Sequence, residues 1–154
     1  MRFTDNSAKL SRLLPALAIP AILLTGCYDP ANRDTSAVAV GGDLNFAGLE
    51  IRSVLIVTSA QNEPGRILGT IVNTTSRDLK MVLSDKDDRV PVMVPAHGKI
   101  TFDDSPLMFK TTQEPPGART DLTVTVKGQE TMINVPVQNG TFQQYRPYVP
   151  TPST

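Results

Sequence analysis

"TDLTVTVKGQETMINVPV", residues 120–137, alternates apolar and polar residues on both sides of Lys127-Gly128-Gln129. Leu122, Val124 and Val126 share one face with threonines between them, and a glycine-centred break returns the chain into Ile133, Val135 and Val137. A period of 2 puts successive side chains on opposite faces of a strand, so the stretch reads as a hairpin with one face buried.

The same pattern extends upstream. "LEIRSVLIVTS" (49–59) and "RILGTIVN" (66–73) flank "AQNEPG", whose Pro64-Gly65 marks a turn, and are predicted to form a second hairpin. Shorter runs follow at 79–84, 90–95, 99–102 and 106–110, separated by Asp-rich or Gly/Pro-containing breaks. No helical stripe persists for three turns. Short strands at this spacing predict an all-β fold, an antiparallel immunoglobulin-like or cupredoxin-like β-sandwich of about six to eight strands. Pro91, Pro95 and Pro136 fall within strand runs and suit edges and strand ends, because proline donates nothing to a ladder.

Outside these strands the chain has an address. Arg2, Lys9 and Arg12 precede a 12-residue apolar run, Leu13–Leu24, interrupted by Pro15 and Pro20. A spanning helix needs about 20 apolar residues, so the run fits the core of a secretory signal covering 1–26. Leu24-Thr25-Gly26-Cys27 then reads as a lipobox, with the single cysteine of the chain as acceptor of a diacylglycerol. A lone cysteine excludes an intrachain disulfide. Two acyl chains hold a domain stably on a bilayer, which predicts an extracytoplasmic lipoprotein on a bacterial cell membrane. Residues 27–43 are small and polar and read as a tether, 44–140 as the folded domain, and 141–154, with Pro147, Pro150 and Pro152, as an extended polyproline-like tail.

Composition narrows the chemistry. Without residues 1–26 the 15 basic and 15 acidic side chains become 12 and 14, a net charge of about −2 that gives no basic footprint for nucleic acid. There is no G-x-S-x-G elbow and no glycine-rich loop between a strand and a helix, so neither a serine hydrolase nor a nucleotide site is indicated, and the chain reads as a non-enzyme. Asp87-Asp88 and Asp103-Asp104 read as turns, as do the sequon-like Asn73-Thr74-Thr75 and Asn139-Gly140-Thr141. His97, the only histidine, sits in a Pro-Ala-His-Gly turn, and the methionines at 81, 93, 108 and 132 read first as core filler. Tyr145, Arg146 and Tyr148 are residue types that favour protein contacts and are candidates for partner binding.

From Gly69 to Val137 the chain resembles the secreted copper chaperones that serve the dinuclear copper centre of respiratory oxidase. "GTIVNTTSRD" is similar to their early strand ending in Asn-Thr, "VPAHGKITF" to their Pro-Ala-Gly turn, and "DLTVTVKGQETMINVPV" to their last hairpin. With the lipobox and the "YRPYVPTPST" ending, the whole chain resembles actinobacterial surface lipoproteins. The resemblance implies a β-sandwich and a Cu(I) site of histidine and methionine, including a His-x-Met. Here that position reads Pro106-Leu107-Met108, so the methionine matches and the histidine does not. Met93, His97 and Met108 remain as soft or borderline donors. The sequence therefore favours a membrane-anchored, non-enzymatic binding or scaffold module with no cofactor, accessory to a membrane complex. The alternative is a reduced copper-chaperone-like protein that uses those three residues.

Mass spectrometry of the mature N-terminal peptide is expected to find it beginning at a diacylglycerol-modified Cys27. A free Cys27 thiol, or a different mature N-terminus, contradicts the anchor.

Overall fold

Period-2 patterning yields nine strands in the computed structural model, which describes residues 41–151. They are β1 (Gly42–Phe46), β2 (Leu49–Thr58), β3 (Gly65–Asn73), β4 (Leu79–Ser84), β5 (Arg89–Val94), β6 (Lys99–Thr101), β7 (Leu107–Phe109), β8 (Arg119–Val126) and β9 (Gln129–Gln138), followed by a 3-10 helix, Gln143–Tyr148. The signal, the lipobox with Cys27, and most of the tether lie outside the described residues.

Both expected hairpins form, with β2 against β3 and β8 against β9. Lys127 and Gly128 take φ of 51° and 77°, so the β8–β9 connection is a two-residue turn with both residues left-handed, whose twist matches the flanking strands. Ala47 and Gly48 repeat this at φ 50° and 90°, which joins β2 to β1. β1 was not anticipated: its five residues, GDLNF, are as polar as the tether before them, and it begins at Gly42, within the expected tether.

The strands run in the order β5-β4-β8-β9-β2-β3-β6, with β1 beside β2 and β7 beside β3. All pairs are antiparallel except β2 with β9, where Ile56 and Val57 meet Val137 and Gln138 in parallel register. The expected all-β, sandwich-like fold is thus built as one largely antiparallel sheet of nine strands, made mixed by this single parallel pair and curled into a near-barrel. The free edges approach where Asp88, just before β5, accepts the backbone N–H groups of Lys110 and Thr111, just after β7, at 2.5 and 3.2 Å.

Alternation fills the interior. Leu122, Val124 and Val126 of β8 join Leu79, Met81 and Leu83 of the neighbouring strand β4, Ile51 of β2, Ile67 and Ile71 of β3, and Phe102 and Phe109 in one buried core. Each such side chain contributes about 1.5–3 kcal/mol relative to exposure. Pro91 lies on edge strand β5, as expected for a residue that cannot donate. Pro136 lies in the interior strand β9, where Val137 N–H donates to Ala118 O at 2.9 Å and leaves the adjacent proline nitrogen facing away from β8.

The tail departs most from expectation. Its prolines predicted an extended segment, yet residues 143–148 form a 3-10 helix that includes Pro147. Tyr145, Tyr148 and Val149 pack on a small second cluster of Leu55, Val57 and Leu68 on the outer face of β2 and β3. The Arg66 guanidinium lies 4.9 Å from the Tyr148 ring centroid, a cation–π contact that adds to this packing. Tertiary contact overrides the local polyproline preference.

β2 bends at Ser53 (φ 55°), where the register with both neighbouring strands shifts. Facing it, Gly69 has φ 135°, and a Cβ there would lie 3.0 Å from Val54 Cα. Replacing Gly69 with valine is expected to destabilise the domain by about 2 kcal/mol or more in chemical denaturation, because a β-branched residue meets both a forbidden φ and a neighbouring backbone. Unchanged stability would contradict the tight crossing at the bend.

Candidate functional site

One end of the near-barrel is organised by a buried amide. Asn73, the last residue of β3, is fully buried, and its Nδ2 donates to the carbonyls of Arg77, Val94 and Pro95 at 2.7, 3.1 and 3.0 Å. Its Oδ1 accepts from Thr75 N and Oγ1 at 2.9 and 2.8 Å, and its own N–H donates to Gly98 O at 2.8 Å. The Asn-Thr strand end and the Pro-Ala-His-Gly turn, separate motifs in the sequence, are thereby one unit. An Asn73 amide committed to three carbonyls is also no modification acceptor.

That unit presents His97. Gly98 N–H donates to Pro95 O at 2.9 Å, closing a turn whose third residue, His97, has φ 50°, and His97 N–H donates to Thr75 O at 2.9 Å. Asp78 Oδ1 accepts Ala96 N–H at 2.8 Å and fixes the other side of the turn. The imidazole is exposed. Met93 lies at the same end, on the outer face of β5, one residue before the Val94 carbonyl that Asn73 holds, and is 57% exposed.

Met108 is elsewhere. It pairs with Arg66 near the start of β3, whereas the His97 turn is bonded to the region beyond Asn73 at the end of that strand. Seven residues of strand separate Arg66 from Asn73, about 23 Å at ~3.3 Å per residue. Met93, His97 and Met108 therefore do not form one donor set. Met93 and His97 share an end, and Met108 sits at the other. Met81 is fully buried core, while Met93, Met108 and Met132 are exposed and do not fill the core as expected. Tyr145 and Tyr148, expected on a free tail, are half-buried against the domain's own sheet, and Arg146 Nε donates to Gly140 O at 3.1 Å.

Neither a protein-family model nor a curated protein matches the chain. Among solved structures it is similar to the copper-bound PCuAC domain from PmoF2, with a TM-score of 0.54 and 13% identity, covering 63% of this chain and 97% of that one. The apo PmoF2 PCuAC domain gives 0.53 and 13%, covering 65% and 97%. The fold is PCuAC-like. At that identity the likeness lies in the backbone path, and it spans nearly the whole of each neighbouring domain.

Among the described residues no group of three or more His, Cys, Asp or Glu side chains is gathered to hold a metal ion. Any metal at the His97 end would rest on the thioether and the imidazole, donors that suit a soft ion. The sequence reading missed two features. Asn73 reads as a turn residue in the sequence, whereas the fold buries its amide at the end of β3. Thr112, 2% exposed with an unpartnered Oγ1, lies in a stretch with no motif at all.

Asn73→Ala strips partners from several buried backbone groups, each costing about 1–3 kcal/mol when left unsatisfied, and is expected to lower the unfolding free energy by about 3 kcal/mol or more. Thr74→Ala, which removes one exposed bond from Thr74 Oγ1 to Gly48 O, is expected to cost about 1 kcal/mol or less. Similar effects for the two variants in urea unfolding would contradict the role given to Asn73.

Proposed function

We propose that this is a membrane-tethered, extracytoplasmic copper-handling domain that takes Cu(I) as cargo at the end of the near-barrel formed by Met93 and the His97 turn. The observation that carries the reading is the backbone likeness to a copper-bound domain over 97% of that domain's length. Donor chemistry agrees with it. A thioether is soft and an imidazole is borderline, the pair that Cu(I) prefers over hard oxygen ligands.

The arrangement suits transfer better than storage. His97 and Met93 are both exposed and lie at the mouth of the fold, so an ion held there is reachable by a partner's donors. The backbone beneath them is held by Asn73 and Asp78, which places the imidazole without using its ring nitrogens. With two protein donors, affinity is modest and exchange fast. The anchor on Cys27 and the polar tether keep the domain at the membrane face, where an acceptor complex resides in this reading. No covalent chemistry is required of the chain.

A second reading, a tethered binding module accessory to a membrane complex, is favoured by the exposure of Met93, Met108 and Met132 at 57, 40 and 68%. Flexible apolar side chains of this kind serve adaptable protein contacts.

Titration of the full chain with Cu(I) against a competing chelator separates the two. One equivalent is expected to be retained, with roughly tenfold weaker binding, ~1.4 kcal/mol, in Met93→Leu and in His97→Asn, the latter tolerating the left-handed φ. Met108→Leu is expected to bind as the parent does. Complete loss of copper to the chelator, or loss caused by Met108→Leu alone, contradicts the proposal.

A further inference from the structure

The two ends of the near-barrel differ in charge. Arg77, Lys80, Lys99 and Lys127, all exposed, stand at the end that presents Met93 and His97. Their places follow from the strand pairing. Lys80 is the cross-strand partner of Met93, so these two exposed side chains sit side by side on the outer face of β4 and β5. Lys127 follows Val126, the partner of Met81, which puts it next to Lys80 on the neighbouring strand. Lys99 opens β6 two residues after His97, and Arg77 lies in the loop whose carbonyl Asn73 holds.

These cations are uncommitted. Arg52 pairs with Glu50 at 3.3 Å, whereas none of the four is in an ion pair among the described residues. Two carboxylates share the end, and both are engaged: Asp78 Oδ1 accepts Ala96 N–H at 2.8 Å, and Glu130 Oε1 accepts Thr125 Oγ1 at 3.3 Å. Four cations against two anions leave this end at about +2, although the chain from residue 27 onward carries about −2. The compensating charge lies at the opposite end, where Asp85, Glu114 and Asp121 line a cavity beside Lys86.

Lys80 and Lys127 also frame an open depression of about 390 Å³, lined between them by Val82, Thr125 and Gly128. Two ammonium groups on either side of such a depression suit the carboxylate of an incoming side chain. The patch is not purely basic, since exposed Pro91 and Met93 interrupt it and the Asp78 and Glu130 carboxylates are fixed within it. A phosphate-dense lipid or nucleic-acid surface meets those carboxylates with repulsion. A protein surface can place acids opposite the lysines and apolar groups opposite Met93.

We propose that the His97 end is a docking surface for an acidic face of a partner protein, with carboxylates seated between Lys80 and Lys127 and beside Lys99, and with Met93 inside the contact. The inference rests on the copper reading, because the partner it fits is the one that receives Cu(I) from Met93 and His97. Complementary charge around the donors speeds encounter and turns the copper-bearing end toward the acceptor.

The test uses the full chain in neutral detergent micelles without copper. The probe is an acetylated octapeptide of alternating glutamate and serine, and the controls are its lysine–serine counterpart and phosphatidylglycerol added to the micelles. Saturable binding of the glutamate peptide is expected, with amide shifts in two-dimensional NMR centred on Lys80, Met93, Lys99 and Lys127. It is expected to weaken steeply as ionic strength rises from about 0.01 to about 0.1 M and the screening length falls from about 30 to about 10 Å. Lys80→Gln combined with Lys127→Gln is expected to weaken it about fivefold with Cu(I) retention unchanged, and Lys86→Gln combined with Lys110→Gln, at the other end, to leave it as in the parent. An absence of saturable binding overturns the proposal, as do shifts centred on the other end, affinity unchanged by the Lys80 and Lys127 changes, or larger shifts of the same amides from phosphatidylglycerol. Because copper is left out, failure of the Cu(I) titration leaves the peptide result standing, and loss of peptide binding with copper retained overturns the docking surface alone.

Discussion

A single buried carboxamide determines how this chain closes. Asn73 ends strand β3 inside the protein, where its polar groups must be paired, and its Nδ2 donates to the carbonyls of Arg77 in the following loop and of Val94 and Pro95 at the end of β5. Satisfying it draws β5 and the turn after it over the end of β3. The turn then delivers β6 back to β3, with Thr70, Ile71 and Val72 meeting Thr101, Ile100 and Lys99. An apolar residue at 73 would bury as much surface and specify none of this, which is the use of a fully satisfied polar group in a core.

The rest of the architecture follows from β2. It pairs with β3 along its length, with β1 over its first half, and with β9 in parallel at its far end. β2 bends at Ser53, between the stretch that pairs mainly with β1 and the stretch that meets β9, and Asp43 Oδ1 accepts the Ser53 N–H there at 2.7 Å. That bend joins the two layers into one strip, and the Asp88 bonds to residues 110 and 111 bring its far edges together. The outcome is a closed interior with two chemically different ends. One presents a histidine turn and a methionine, the other a carboxylate-rich cavity.

Much of the fold was legible because hairpins are local. Period-2 alternation and the Lys127-Gly128 turn depend on residues close in sequence, so β2, β3, β4, β8 and β9 could be read directly. β1 could not, since its alternation of Asp43 and Asn45 with Leu44 and Phe46 is only five residues long and follows directly on a small, polar stretch. The parallel contact of β2 with β9 rests on two residue pairs, too few to leave a pattern. For the tail, Pro147, Pro150 and Pro152 stated a local preference that the packing of Tyr148 and Val149 on Leu55, Val57 and Leu68 outweighs. At the site, His97 was visible as an exposed turn residue. Its distance from Met108 was not, because that depends on which end of β3 each later strand joins.

Copper is the point at which the account can be tested most directly. The measurement is the position of the anomalous copper signal in crystals of the chain grown with Cu(I). A single peak within bonding distance of Met93 Sδ and a His97 ring nitrogen is the result the account predicts. A peak at Met108, or no ordered copper at either end, would contradict it.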